Sequence, residues 1–211
     1  ADSAYAAYLR FTFASPLERF GLKPRRDEPT SVALMRPALI RLLADAGHDA
    51  RVLAFAESLG AAYRRDPASV PASLVETGLL VGAIRGDRAQ FEDYRKRFET
   101  TQVPLERILY LTGLGLFRDP GLRQEALAYA LAGPLRPQEA LMIPFATSIE
   151  PVQAGARGGG GQYSDETVRW MFEHFDALRA KLPPNFASRI VGLANGCSGE
   201  RQSAIRTFFD D

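Results

Sequence analysis

The sequence contains few of the residues that build metal centres, disulfides or nucleophilic sites. Cys197 is the single cysteine, so no intrachain disulfide can form, and His48 and His174 are the two histidines. Neither histidine belongs to a His-Glu-x-x-His pattern, whereas a zinc ion requires three or four protein ligands at fixed spacing. We therefore predict no catalytic residue, no metal ligand and no cofactor-binding residue within residues 1–211.

A strong excess of charge and a long apolar run are also missing. The 26 basic and 25 acidic residues leave a net charge of +1, whereas nucleic-acid binders normally carry a basic excess. No apolar stretch approaches the roughly 18 residues that span a bilayer as a helix. We therefore expect no nucleic acid and no membrane as a partner. The compartment stays open between cytoplasmic and exported, because both accommodate chains without disulfides.

The remaining candidate motifs favour structural roles. The glycine run at 158–161 is followed by Gln162 instead of the Gly-Lys-Ser/Thr that continues a phosphate-binding loop, so we interpret it as a linker. Cys197 has no local histidine or aspartate partner pattern and is interpreted as an inert thiol. Three basic runs are interpreted as solvated surfaces, with the binding of an acidic group by one of them as the alternative: Arg25-Arg26, Arg64-Arg65 and Arg95-Lys96-Arg97.

Helix signals, in contrast, are abundant and are densest in the middle of the chain. Apolar residues recur at helical spacing over 104–117, which predicts an amphipathic helix. Asp119 and Pro120 provide the cap and the first turn of a second helix, and Pro137 opens a third. Because a pair of short helices cannot bury its own apolar face, neighbouring helices must supply the rest of the core.

The rest of the chain carries the same caps, turn glycines and prolines. Residues 3–14 favour a helix, with a strand over 8–13 as the alternative, and Ser15-Pro16 favours the start of a separate short helix that ends at Gly21. Pro37 should kink its helix or delay the true start. Further helices are predicted at 31–46, 50–65, 71–85, 88–99, 138–149, 165–182 and 184–194 and after Ser198, with a loop at 151–163.

The helix pairs recur at a regular distance. They begin near Ser31, Ser69, Pro104 and Pro137, so the starts are roughly 33–38 residues apart, close to the period of helix–turn–helix solenoids. The repeats share almost no letters, which favours an irregular array. We predict an all-α fold: a single helical-repeat domain over 1–211, built as a HEAT-like superhelical stack of antiparallel helix pairs. The start at Ala1 is expected to be a cut inside a longer protein.

The central segment also resembles a known family. The pattern E-R-x-x-Y-L-x-x-L-G-x-F-R-D-P-x-L, followed by L-R-P-Q-E, resembles the C-terminal helical domain of zinc aminopeptidases of the aminopeptidase N and puromycin-sensitive type. Where that family often has Asp, this chain has Glu139. Segments 16–22, 39–63 and 168–178 resemble further parts of the same domain. The matching residues of the central pattern are Glu106, Arg107, Leu111, Leu114, Phe117, Asp119, Pro120, Leu122, Arg136 and Gln138.

The resemblance implies a role without chemistry in these residues. In that family the zinc site and the peptide-binding Gly-x-Met-Glu-Asn motif lie in an earlier domain, while the C-terminal domain covers the active site and limits peptide entry. The chain would then be the C-terminal lid of a larger multidomain enzyme, with zinc in the parent and with the upstream catalytic domain and peptide substrates as partners. The alternatives are a stand-alone HEAT-like scaffold that binds a protein or peptide on its concave face, and an enzyme complete in these residues.

Overall fold

A computed structural model describes residues 4–148, 165–194 and 198–210 of the chain. These ranges contain helices and no β-strand. Short 3-10 helices lie at Pro67–Ser69, Pro137–Glu139 and Ile190–Ala194. The α-helices are α1 (Ala4–Phe20), α2 (Thr30–Asp45), α3 (Ala50–Arg65), α4 (Ala72–Ile84), α5 (Arg88–Thr100), α6 (Pro104–Leu114), α7 (Pro120–Ala132), α8 (Met142–Ser148), α9 (Asp165–Glu173), α10 (Phe175–Lys181), α11 (Pro184–Ala187) and α12 (Gly199–Asp210).

Three aspartates begin helices in the way that the sequence predicts. The Asp49 carboxylate accepts the backbone N–H of Val52 at 3.0 Å and begins α3. Asp87 and Asp119 do the same for α5 and α7, at 2.9 Å each. Each carboxylate satisfies a backbone donor that has no partner inside its own helix. These three predicted helix starts are confirmed.

Neither proline forms a helix boundary, so the boundary predicted at Pro16 is wrong and the delayed start predicted at Pro37 is wrong, whereas a kink at Pro37 stays a prediction. The helix predicted for residues 3–14 does not stop at Ser15, because α1 continues through Pro16 and ends beside Gly21, which has a φ of 69°. Similarly, α2 has no boundary at Pro37. In both helices the buried stripe continues beyond the proline, and the packing of residues such as Leu17 and Leu39 outweighs the loss of one backbone hydrogen bond.

The last part of the chain is more broken than predicted. The helix expected at 165–182 is two helices that meet at His174, which leaves helical dihedral angles at φ −119° and ψ 16°. On either side of this interruption, Phe172 and Phe175 both contact Phe208 of α12, with ring centroids 4.4 and 5.5 Å from that of Phe208. The helices expected at 138–149 and 184–194 each contain a 3-10 turn instead of running as one α-helix. The loop expected at 151–163 lies outside the described residues.

The helices form two layers. α4 packs against both α2 and α6, and α6 packs against α8, so the even-numbered helices make one continuous layer. In the other layer, long ionic side chains bridge the gaps: Arg64 of α3 reaches Asp93 of α5 at 3.3 Å, and Arg95 of α5 reaches Glu125 of α7 at 3.2 Å. Closer spacing in the even layer places it on the inner side of a curved stack. The predicted all-α superhelical stack is confirmed.

Glycines set the closest helix contact of the stack. A Cβ built on Gly60 of α3 would lie 2.4 Å from the carbonyl oxygen of Gly78 in α4, and one built on Gly78 would lie 2.8 Å from the Gly60 nitrogen. The two backbones therefore touch where a side chain on either residue would hold them apart. Gly60 therefore faces α4 and allows the two helices to approach closely.

The buried apolar residues divide into two clusters. The larger cluster, which we call the main core, extends from Leu17 to Ile143 and packs α1 to α8 together. The smaller cluster, the C-terminal core, joins Ala140 and Leu141 to residues 168–194. Trp170 packs against both clusters. The residues that follow α8 therefore pack mainly into a second core, at the C-terminal end of the stack.

Candidate functional site

The exposed surface of the even layer is apolar in places where a solvated surface would be polar. Leu34 of α2 is 75% exposed, and Leu105 and Ile108 of α6 are 61% and 47% exposed. Leu105, Ile108 and Thr112 follow one another at helical spacing and lie on one side of α6. We use the term inner face for the exposed and half-exposed side of the even layer, to which Leu34 and Met35 of α2 and Leu105, Ile108 and Thr112 of α6 contribute. Leu105 and Ile108 are neighbours on α6, and adjacent exposed apolar side chains of this kind are typical of a binding surface.

A cavity of about 290 Å³ opens beside Thr112, at one end of the inner face. It lies between α6, α8 and the segment after α10, and its walls are mainly apolar. Gln138 and Arg189 supply polar groups, and the Arg189 guanidinium lies 4.8 Å from the centroid of the Phe186 ring. Among the described residues no carboxylate pairs with Arg189. The remaining lining residues are Leu141, Met142, Phe145, Ala146 and Leu182.

The histidines lie apart from this cavity lining. His48 is exposed in the turn after α2, with a φ of 50°. His174 separates α9 from α10, and its ring centroid lies 5.2 Å from that of Trp170. No group of three or more His, Cys, Asp or Glu side chains that could hold a metal ion occurs in 4–148, 165–194 or 198–210. Cys197 lies outside the described residues, and the prediction that the chain holds no catalytic residue stays a prediction.

Two consecutive charged residues of the central pattern stabilise the fold. The Glu106 carboxylate accepts hydrogen bonds from the Tyr63 hydroxyl at 2.7 Å and the Thr101 hydroxyl at 2.6 Å. Burial and the Glu106 hydrogen bond together raise the pKa of Tyr63. Glu106 therefore joins α3 to the turn that precedes α6. The sequence pattern contains Glu106, but its partner Tyr63 is 43 residues away, so spacing alone does not reveal the contact.

Arg107 makes a second set of long-range contacts. Its guanidinium donates to Glu139 at 2.7 and 3.0 Å and to the Phe98 carbonyl at 3.0 Å, and it lies 4.0 Å from the centroid of the Phe98 ring. Glu139 also accepts the backbone N–H of Arg136 at 2.8 Å. The ion pair therefore fixes the 3-10 turn at Pro137–Glu139 against α5 and α6, and this turn forms one border of the cavity.

A match to a known family of helical domains covers the whole chain. The family model of the ERAP1-like C-terminal domain matches residues 1–211. The chain belongs to this family. The resemblance to the C-terminal domain of aminopeptidase N and related enzymes is thereby confirmed, and membership indicates a domain of the kind found in aminopeptidases. No curated protein sequence matches the chain.

No helix in the part of the chain that the structure describes is long and apolar enough to cross a bilayer.

Proposed function

We propose that this domain is the lid of a zinc aminopeptidase. It covers the active site of the catalytic domain in the same polypeptide and shapes the access of peptide substrates. The zinc ion belongs to that catalytic domain, and no group in residues 1–211 takes part in the chemical step. Membership of the ERAP1-like C-terminal family supports the aminopeptidase as the parent.

The observation that carries the lid role is the apolar inner face that leads to the cavity beside Thr112. Protein sites for small ligands and side chains are concave, mainly apolar and equipped with a few polar groups. The cavity, of about 290 Å³, meets this description at a size that suits a single side chain. A peptide held along Leu105 and Ile108 would gain apolar contacts at residues distant from the bond that is cleaved. Short substrates could not reach these contacts.

A stand-alone scaffold remains the second candidate, because an exposed apolar inner face suits a bound protein as well as a substrate. The two functions differ in what precedes residue 1 in the full-length polypeptide. A zinc-site domain there supports the lid, and its absence supports the scaffold. Zinc-dependent peptidase activity in the isolated chain would contradict both.

The lid role can be tested by filling the cavity in the full-length enzyme. Thr112→Trp places a bulky ring at the cavity mouth, whereas Thr100→Trp adds the same ring at the exposed end of α5. We expect Thr112→Trp to lower kcat/KM for peptides of about ten residues roughly tenfold, with little change for an aminoacyl reporter. The Thr100→Trp enzyme should behave like the wild type. An equal loss for peptides and reporter would overturn the proposal.

A further inference from the structure

The basic run Arg25-Arg26 differs from the other two basic runs in its partners. Arg64 reaches Asp93 at 3.3 Å, Arg97 reaches the same carboxylate at 2.8 Å, and Arg95 reaches Glu125 at 3.2 Å. In these two runs, Arg64, Arg95 and Arg97 therefore have ion-pair partners within the fold. In the described part of the chain, neither Arg25 nor Arg26 forms an ion pair. The Arg25 guanidinium donates instead to the Arg19 carbonyl at 3.2 Å.

The loop that carries Arg25 and Arg26 is held in place by hydrogen bonds from a buried arginine, Arg36. The Arg36 side chain, 2% exposed, donates to the carbonyls of Phe20 and Gly21 at 3.1 Å each and binds both carboxylate oxygens of Glu28. The Arg36 hydrogen bond lowers the pKa of Glu28, whose charge is thereby committed to the buried pair. Glu28 also accepts the Arg25 backbone N–H at 3.2 Å and feels the charge of Arg25, although its carboxylate forms its ion pair with Arg36. The loop presents its basic side chains from a fixed backbone.

A cleft of about 600 Å³ lies between this loop and α3. Lys23, Arg25 and Arg51 bring three positive charges to its walls, against the single carboxylate of Glu18. Apolar groups complete the lining, from Leu17, Leu22 and Phe55. The cleft therefore combines a local positive surplus with apolar surface, although the net charge of the whole chain is only +1. We call it the basic cleft.

We propose that the basic cleft binds an acidic peptide segment, in which carboxylates flank an apolar side chain. Lys23, Arg25 and Arg51 would pair with the carboxylates, and Leu22 and Phe55 would contact the apolar side chain. Charge complementarity of this kind selects partners and accelerates their association. A recessed cleft suits an extended peptide better than a flat lipid surface. The proposal is independent of the lid role, because the residues of the basic cleft differ from those of the inner face and its cavity.

Binding can be measured on the 211-residue chain by fluorescence anisotropy of a labelled Glu-Glu-Leu-Glu-Glu peptide. We expect the affinity to fall severalfold between about 50 mM and about 200 mM salt, since salt screens exposed charges. The Arg25→Gln/Arg51→Gln variant should bind about tenfold more weakly, at a few-fold for each exposed pair. The Arg65→Gln/Lys96→Gln variant removes two exposed charges elsewhere and should bind like the wild type. Lys23→Gln, which leaves both arginines in place, should give a smaller loss.

Three results would overturn the proposal. Equal losses in the two double variants would mean that net charge alone governs binding. Equally tight binding of Gln-Gln-Leu-Gln-Gln would remove the role of the carboxylates. Tighter binding to vesicles of anionic phospholipid than to the acidic peptide, lost in Arg25→Gln/Arg51→Gln, would assign the surface to a membrane. If the double variant fails to fold, as judged by circular dichroism, Lys23→Gln against Lys96→Gln makes the same comparison.

Discussion

Among single residues, Arg107 and Glu139 show how one buried ion pair can hold a short turn in place. The pair holds a 3-10 turn against two helices, with side chains that are 15% and 8% exposed. Burial alone would raise the pKa of the Glu139 carboxyl. The hydrogen bonds from the Arg107 guanidinium and the Arg136 N–H more than offset this effect, so the pKa lies below its ordinary value of 4.5. Glu139 is therefore held in its charged form in the folded protein.

This pair predicts a specific dependence of stability on pH. Because the pKa of Glu139 is lowered by folding, its stabilising contribution is complete above the unfolded pKa and is lost as the pH falls through the lower folded value. Glu139→Gln should lower the free energy of unfolding by about 2–4 kcal/mol at pH 7. The deficit should shrink on acidification below about pH 4.5, the ordinary pKa of the carboxyl. Urea unfolding at several pH values measures both effects.

The control for this variant is an ion pair on the surface. Glu57 pairs with Arg85 at 3.1 Å, and both side chains are substantially exposed. Glu57→Gln should therefore change the free energy of unfolding by no more than about 1 kcal/mol at pH 7. A constant deficit for Glu139→Gln across the whole pH range would contradict the assigned role of its charge.

Residues also differ in how far their roles can be predicted from sequence. The caps Asp49, Asp87 and Asp119 are predictable because each carboxylate bonds to a backbone N–H three positions later. The partner of Arg107 is not predictable in this way, since 32 residues separate it from Glu139. The family pattern contains both positions but does not show that they touch. The cavity border therefore depends on a contact that only the folded chain reveals.

At the scale of helices, the contact between α3 and α4 is made by two glycines that face each other. Either backbone would have to move if one glycine gained a side chain, because the atoms it would meet belong to the opposing backbone. Gly82, one turn further along α4, differs in this respect. A Cβ on Gly82 would have its nearest neighbour at 3.7 Å, an ordinary contact distance. Substitutions at these two positions of α4 therefore distinguish the effect of packing on stability from the effect of helix propensity.

We predict opposite effects for alanine at these two positions. Gly78→Ala should lower the free energy of unfolding by about 2–3 kcal/mol, because overpacking forces α3 and α4 apart. Gly82→Ala should leave it unchanged or raise it by up to about 1 kcal/mol, since alanine favours a helix more than glycine does. Chemical denaturation of the two variants makes the comparison. Equal destabilisation by both variants would show that the close approach is not required.

Helices are predictable where their signals are local, and less so where tertiary packing decides. The signal at Ser15-Pro16 indicates a new helix, yet α1 passes through Pro16 because Leu9 and Leu17 lie on one buried stripe. His174 carries no breaking signal, yet the helix is interrupted there, and Phe172 and Phe175 on either side both reach α12. In both cases a distant contact determines the boundary, and local propensity is a weaker influence.

At the scale of the whole molecule, helical period predicts the stack but not its division into two cores. Four starts at a similar spacing indicate repeated pairs, and the even layer confirms this arrangement up to α8. Beyond α8 the period ends, and the C-terminal core forms around Val168, Met171 and Leu178. The cavity lies where the two parts meet, between α6, α8 and Leu182. The sequence could not indicate this site, because no single repeat contains its walls.

Division into two cores predicts that stability differs along the chain. In a stack, each repeat is held mainly by its neighbours, and regions can open locally without global unfolding. We expect backbone amides of α3 and α4, in the main core, to exchange hydrogen more slowly than those of α9 and α10. Met171→Ala, at a fully buried position of the C-terminal core, should cost about 2–4 kcal/mol and accelerate exchange in α9 and α10 while leaving α3 and α4 protected.

The matched control is Leu79→Ala, at a fully buried position of the main core. It removes a side chain of similar size, and it should accelerate exchange in α3 and α4, the helices that pack against each other around it. Hydrogen-exchange mass spectrometry resolves the two regions in both variants. Uniform acceleration along the chain by Met171→Ala would mean that the two cores unfold as one unit, with Trp170 coupling them. Selective acceleration would place the cavity at a boundary that can open while the inner layer stays folded, so that the cavity wall could adjust to different ligands.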